Sequence, residues 1–254
     1  DFAAPARNHV APHALAEEEQ GLEIGIHHYV PILFGEIDRI GAADETPGHS
    51  GIAHFFEHLM FQGTDDLAPG EFSATVEAQG GNDNAFTSWD YTAYFQRVAS
   101  DRLGLMMQME ADRMRDLTLS EEDVTTERQV IVEERGQRTD SDPGALLNEQ
   151  MAAAQYMNHP YGRPVIGWLH EIKALTREDA LAFYKANYAP NNAIVVVAGD
   201  VTPEQALKLA ETHYGPLEPS SEILPRARPV EPPQLAERRI VLEDERVSEP
   251  YVIR

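Results

Sequence analysis

The first regular pattern in the chain is an alternation of apolar and polar residues near its start. Leu22, Ile24 and Ile26 stand at every second position, and a second strand-like run follows Pro31. A period of two places apolar side chains on one face of a β-strand. The pattern therefore predicts two strands within residues 22–45.

Helices are predicted where apolar residues recur at helical spacing behind a capping residue. Thr176 and Thr202 each stand three residues before Asp179 or Gln205, which is the sequence form of a capping box. Serines at the start of two further segments are also predicted caps, Ser100 and Ser120. We interpret the methionines of residues 101–116 as core filling. The predicted helices cover residues 70–79, 101–116, 121–138, 142–156, 177–188 and 201–215.

Two further segments have the composition of strands. Residues 82–99 are rich in Phe, Thr, Trp and Tyr, which predicts two strands joined by a turn near Ser88–Asp90. The run NAIVVVAGD, residues 192–200, is the strongest candidate in the sequence for a fully buried strand.

The composition changes after Pro216. The next twenty or so residues are rich in Pro and Glu without a sustained period, which is typical of a linker. The segment RRIVLEDERVSEPYVIR then predicts a strand, a turn and a strand, in the same order as near the start of the chain. We therefore predict four units: a flexible leader at 1–19, a main domain at 20–217, a linker at 218–237, and the start of a truncated second, homologous domain at 238–254.

Charge and composition narrow the possible partners. The 254 residues carry a formal net charge of −23, which argues against binding to nucleic acids. No run approaches about 18 consecutive apolar residues, so no membrane span is predicted. The sequence has no Cys, so any metal must be held by His and carboxylate side chains. Absence of Cys suits the periplasm or the cytoplasm, and the leader-like start favours the periplasm.

Polar residues interrupt an apolar stretch in HFFEHLMFQGT, residues 54–64. Burial of His54, Glu57 and His58 among its phenylalanines costs several kcal/mol apiece unless they have partners. On a helix ending near Gly63 these three side chains share one face. The two imidazoles can then bind one metal ion, with Glu57 beside them as a general base, in the inverted H-x-x-E-H motif. A structural His–Glu pair is the alternative for His54 and Glu57 alone.

A catalytic zinc site requires a third protein ligand. In ERQVIVEE, Glu127, Val130, Ile131 and Glu134 fall on one helical face, so two glutamates share a face with apolar residues. Helix phase therefore favours Glu134 over Glu133 as the third ligand. Glu127 would then orient a ligand from behind.

Four segments together resemble the pitrilysin family of inverted-motif zinc metallopeptidases, which includes insulin-degrading enzyme and mitochondrial processing peptidase. They are GHSGIAHFFEHLMFQGT (48–64), GGNDNAFTSWDYTAYF (80–95), ERQVIVEE (127–134) and YAPNNAIVVVAGDVTPEQ (188–205). Phe56 departs from the Leu that is usual in the family. The resemblance implies an α+β fold, mainly an antiparallel β-sheet with helices packed on one face, as one half of a two-half peptidase.

The resemblance also implies roles for the residues of these segments. His54, His58 and Glu134 would bind one zinc ion (Zn2+). Glu57 would be the catalytic general base, and Glu127 would be a supporting carboxylate of the catalytic site.

Substrate binding is implied at a strand edge. Asn84, Ala85 and Thr87 would lie on an edge strand that pairs with an extended peptide substrate. The second half of the family's fold normally supplies an Arg and a Tyr that hold the substrate carbonyl. A homodimer, a heterodimer or a missing C-terminal half would therefore complete the site.

The sequence thus predicts a zinc-dependent endopeptidase that hydrolyses peptides or unfolded segments bound as an added β-strand. One alternative is a non-catalytic subunit of the same fold that binds peptides or scaffolds a complex. A structural zinc domain is a further alternative, but such sites usually have four protein ligands and no fourth is evident.

Overall fold

The computed structural model describes residues 31–253, and its central element is a four-stranded antiparallel sheet. The strands are β1 (Pro31–Asp38), β2 (Asn82–Thr87), β3 (Thr92–Ala99) and β4 (Ala193–Ala198), in the order β2-β3-β1-β4. The predicted pair of strands with a turn near Ser88–Asp90 is confirmed. The leader and the predicted strand before Pro31 lie outside the described residues.

Eight α-helices accompany this sheet in the described part of the chain. They are α1 (Ile52–Leu59), α2 (Glu71–Ala78), α3 (Leu103–Asp116), α4 (Glu121–Arg135), α5 (Pro143–Gln155), α6 (Leu169–Ile172), α7 (Arg177–Asn187) and α8 (Pro203–His213). A π-helical turn, Gly136–Asp140, continues α4, and short 3₁₀ turns lie at Ala42–Asp44, Ser100–Arg102, Pro160–Gly162 and Pro190–Asn192.

The predicted caps are confirmed at three helices and wrong at one. Ser120, Thr176 and Thr202 each accept a backbone N–H through the side-chain oxygen at the start of α4, α7 and α8. Ser100 instead begins a 3₁₀ turn, and α3 starts three residues later behind Arg102.

The core lies between the helices and the inner face of the sheet. Phe34 of β1 and Tyr94 of β3 are fully buried there, and α1 packs against α4 and α7 on the same side. The methionines of α3 are buried, as predicted, at Met106, Met107 and Met109. The observed architecture confirms the α+β fold class, with an antiparallel sheet and helices on one face.

The opposite face of the sheet carries exposed apolar side chains. Ile194 and Val196 of β4 are 50% and 41% exposed, and Leu33 and Phe86 are similarly accessible. The prediction that residues 192–200 form a fully buried strand is therefore wrong. β4 is an edge strand, and alternate residues on one of its faces have no covering layer within residues 31–253. An apolar run alone does not distinguish these two situations.

The last part of the described chain has no helix or strand from residue 214 to residue 253. It runs across the domain surface, where Arg228 donates to Asp90 and forms an ion pair with Asp44, and Arg238 donates to the carbonyl of Gln155. The strands predicted after residue 237 are wrong for these described residues, because the segment bonds to helix ends and turns and pairs with neither sheet edge. The division into four units remains a prediction.

Candidate metal centre

The helix that carries the two histidines begins at a buried carboxylate. Gly51 precedes α1 in the left-handed region, with φ +87°, and the Glu45 carboxylate accepts the N–H groups of Gly51 and Ala53. The Glu45 oxygens accept N–H groups that have no partner within the helix, while burial raises the pKa of Glu45 to about 8. This contact fixes the start of α1, two residues before His54.

Three ligand-type atoms converge between α1 and α4. Nε2 of His54 lies 3.5 Å from Oε2 of Glu134, and Nε2 of His58 lies 3.4 Å from the same oxygen. These separations exceed an ordinary hydrogen bond. They match the spacing of about 3.4 Å between two ligands bound at about 2.1 Å in tetrahedral geometry.

The surroundings of these atoms fit a metal ion. Oε2 of Glu134 is buried and accepts no hydrogen bond. Within residues 31–253, His54, His58 and Glu134 are the one group of three or more His, Asp or Glu residues whose ligand atoms all lie within 4.8 Å of one another. Two imidazole nitrogens and one carboxylate oxygen form the ligand set of a catalytic zinc site. Glu133, by contrast, is exposed and accepts a hydrogen bond from Gln129.

Further side chains hold the members of this trio. Oε2 of Glu127 lies 3.4 Å from Nδ1 of His58, and Gln62 donates to the other Glu127 oxygen at 3.0 Å. Nη1 of Arg138 lies 2.7 Å from Oε1 of Glu134. Sequence reasoning missed Gln62 and Arg138, although each stands four residues after a site residue, the spacing that brings side chains together on a continuous helix.

The pKa values of the two histidines are shifted in opposite directions. Burial, together with repulsion from His58, lowers the pKa of His54 to about 4. Burial also disfavours a charge on His58, but its contacts with the carboxylates of Glu127 and Glu134 outweigh this and raise its pKa to about 9. The contact with His58 in turn lowers the pKa of Glu134. The site thus favours one positive charge between its carboxylates.

Glu57 lies on the same helix as the two histidines and is hydrogen-bonded to strand β2 of the sheet. Its side chain lies on α1 between the two histidines in sequence, and its Oε2 accepts a hydrogen bond of 2.5 Å from the Thr87 hydroxyl on β2. Burial raises the pKa of Glu57, while the bond from Thr87 opposes that shift. A buried carboxylate with a raised pKa beside a metal site is suited to accept and return a proton near neutral pH.

β2 is an edge strand, so one of its sides has no partner strand in the described structure. Ala85 packs against the apolar cluster around α1, and its backbone N–H is bonded to Oδ1 of Asn84 at 2.9 Å. Thr87 lies two residues further along the same strand. The three residues predicted to bind substrate therefore share an edge that ends beside Glu57.

Comparison with known families agrees with this geometry. The sequence model of the insulinase family (peptidase family M16) matches residues 39–168, and that of the peptidase M16 inactive domain matches residues 174–253. The chain belongs to peptidase family M16. No helix of residues 31–253 combines the length and the apolar character needed to cross a membrane.

Two curated family members are similar in sequence to this chain along slightly less than half of their own length. The zinc protease PqqE of Helicobacter pylori is 37% identical over 84% of this chain and 48% of its own. A probable mitochondrial-processing peptidase subunit beta of Schizosaccharomyces pombe is 33% identical over 83% and 47%. This M16 chain thus spans about half the length of the curated relatives it matches.

Solved structures share the fold. A protease from Helicobacter pylori superimposes with a TM-score of 0.73 at 36% identity, over 79% of this chain and 48% of that one. The periplasmic protease PqqL from Escherichia coli gives a TM-score of 0.72 at 26% identity, over 79% of this chain and 23% of that one.

Proposed function

We propose that this chain provides the zinc-binding and proton-transfer groups of a metalloendopeptidase. The observation that carries the proposal is the convergence of His54, His58 and Glu134, with Glu57 one residue before His58 on the same helix. Membership of family M16 and the similarity to proteins named zinc proteases support it.

His54, His58 and Glu134 would hold one zinc ion. When bound, zinc acts as a Lewis acid and makes a water molecule acidic enough to attack near neutral pH. Glu127, at the far nitrogen of the His58 ring, fixes the orientation of that imidazole. This arrangement leaves one side of the trio for substrate and water, since a catalytic site uses three protein ligands.

Glu57 would act as general base and then as general acid. It accepts the proton of the attacking water and returns it to the nitrogen of the leaving amine. Its raised pKa makes both directions of transfer accessible, and the Thr87 hydroxyl holds the carboxylate in place. In this proposal Glu57 is the carboxylate that transfers the proton, and Glu127 is the supporting carboxylate that acts through His58.

The substrate would be an extended peptide or an unfolded segment that adds a strand to the free edge of β2. Backbone hydrogen bonds would supply affinity along Asn84, Ala85 and Thr87. Because the Asn84 side chain bonds the N–H of Ala85, that side chain must turn away before a substrate strand can use the same donor.

We propose that a further protein part completes the site. The chain covers about half the length of its curated relatives. The other side of the active site would therefore come from a longer version of the chain or from a homo- or heterodimer partner. That further part would supply the Arg and Tyr that hold the substrate carbonyl. We also propose a periplasmic location, which the similarity to periplasmic PqqL supports.

The test is hydrolysis of a fluorogenic peptide by the purified chain combined with the further protein part that completes its site, with and without a chelator, alongside zinc analysis. We expect chelator-sensitive hydrolysis. Glu57→Gln should retain zinc and lose about 10²–10⁴-fold in rate, because a positioned base contributes that much. Glu133→Gln, on the exposed side of α4, is the matched control and should behave as wild type.

The outcomes separate the remaining functions. Comparable hydrolysis by Glu57→Gln would refute its role as base. Zinc binding without hydrolysis, even when a longer chain or a partner completes the site, would favour the alternative that the chain is a non-catalytic subunit.

A further inference from the structure

A buried ion pair directly follows the third candidate ligand in the sequence. Arg135, the last residue of α4, is 4% exposed. Its guanidinium donates to both oxygens of Glu149 on α5, with N–O distances of 2.7 and 3.0 Å. The side chain of Glu149 is itself buried. A bidentate pair of this kind fixes orientation as well as distance.

The same guanidinium has a third partner. Nη1 of Arg135 donates to the carbonyl of Gly167 at 2.9 Å. Gly167 has φ +90°, and an ideal Cβ on it would lie 2.6 Å from Cα of Gly51, the residue that precedes α1. The N–H of Trp168 also donates to the hydroxyl of Ser50 at 2.9 Å. The loop held by Arg135 therefore packs against the start of the histidine helix.

The end of α4 lies next to a turn of different helical geometry. The helix continues into the π-helical turn Gly136–Asp140 and lacks a left-handed C-cap. Asp140 of that turn forms a further ion pair with Arg135 at 3.3 Å, and Arg138 of the same turn, 74% exposed, reaches back to Glu134. The exposed arginine contacts the carboxylate, while the buried one fixes the backbone that carries it.

We propose that Arg135, through Glu149 and the carbonyl of Gly167, is the positioning residue for Glu134 as third metal ligand. The inference rests on the proposed zinc site. Ligand atoms must lie within about 0.2 Å of their ideal distances, and α1 and α4 are far apart in sequence. One guanidinium ties α4 to α5 and to the loop that abuts α1, so it sets the distance between the histidines and the carboxylate.

The test measures zinc affinity in Glu149→Gln, which keeps the side-chain volume and removes the charge. We expect zinc binding, measured by competition with a chromogenic chelator, to weaken by about 10–100-fold, as for other groups that orient metal ligands. The visible spectrum of the Co2+-substituted protein should also change, because it reports the ligand geometry. A merely structural ion pair would change the melting temperature of the metal-free chain and leave both metal readouts unaltered.

Two double variants complete the design. Arg135→Gln with Glu149→Gln leaves neither charge buried alone, so it is the folded substitute if Glu149→Gln does not fold, and the same losses are expected. Asp101→Asn with Arg102→Gln removes an exposed ion pair at the start of α3 and serves as control.

The result that overturns the inference is zinc affinity within about twofold of wild type in the Arg135 and Glu149 variants, with an unchanged cobalt spectrum. Equal weakening in the control would overturn it too. A wild-type chain that binds no zinc would overturn the proposed function and this inference together, so the two failures are distinguishable.

Discussion

Two of the regions in which charged side chains are buried lie between α1 and α4 and between the sheet and α3. In the second region, Glu36 and Asp38 of β1 lie beside Glu110 and Arg113 of α3, and all four are at most 1% exposed. Arg113 pairs with Glu110 and lies over the ring of Phe72 at 4.1 Å. The positive charge that balances the carboxyl groups of this cluster is therefore the guanidinium of Arg113.

The region between α1 and α4 is organised differently. Its ligand atoms point at a common position and the trio includes no lysine or arginine, while the Arg138 that contacts Glu134 is exposed. The cluster under the sheet lacks the ligand spacing of a metal site. The difference shows that buried charge alone does not mark a candidate metal centre, whereas convergence of ligand atoms left without a hydrogen bond does.

The largest expected effect is the loss of metal from His58→Ala. Removal of one of three ligands should reduce bound zinc from about one ion per chain to nearly none by elemental analysis. The matched control is His170→Ala, since the side chain of His170 is 81% exposed. Full zinc content in His58→Ala would remove the distinction between the two regions.

In the cluster under the sheet, Glu110→Gln should affect stability and leave zinc affinity unchanged. It leaves the guanidinium of Arg113 without its buried partner, so unfolding in urea should show a loss of about 3–5 kcal/mol. Asp101→Asn breaks the exposed pair with Arg102 and should cost less than about 1 kcal/mol. Equal costs for both variants would contradict this account.

Asp38 makes the stability of this second cluster depend on pH. Burial, followed by repulsion from Glu110, raises the pKa of Asp38 well above its usual value, and neither of its oxygens accepts a hydrogen bond. Its contribution is therefore fully favourable below the unfolded pKa of about 3.9 and is lost as the pH rises toward the folded pKa.

Asp38→Asn should remove this dependence. The slope of unfolding free energy against pH above about pH 4 should become less negative by up to about 1.4 kcal/mol per pH unit, for one proton. Urea unfolding at several pH values measures the slope, with Asp200→Asn as an exposed control. An unchanged slope would mean that Asp38 does not titrate between the folded and unfolded states.

The smallest expected effect concerns the hydroxyl of Thr87. Thr87→Val removes the bond that lowers the pKa of Glu57, so the acidic limb of the pH–rate profile should move to higher pH while zinc affinity stays the same. Thr212→Val, whose hydroxyl bonds within α8, is the control. A profile that does not move would separate Thr87 from the base.

Much of the fold was predictable because its signals are local. The capping residues Ser120, Thr176 and Thr202 act within one helical turn, and the β2–β3 turn lies within one hairpin. The exposure of β4 was not predictable, because it depends on which elements cover the sheet. The C-terminal segment was wrongly predicted as strands for the same reason, since a strand needs a partner edge.

The candidate site divides in the same way. His54, Glu57 and His58 share a helical face by the period of the α-helix alone, so the sequence determined their grouping. Only the tertiary structure brought Glu134 to within 3.5 Å of both imidazoles, since that approach depends on how α4 packs against α1. The contact between Arg135 and Glu149 could likewise be found only in the tertiary structure. It joins two separate helices, so it is set by helix packing and produces no periodic pattern in the sequence.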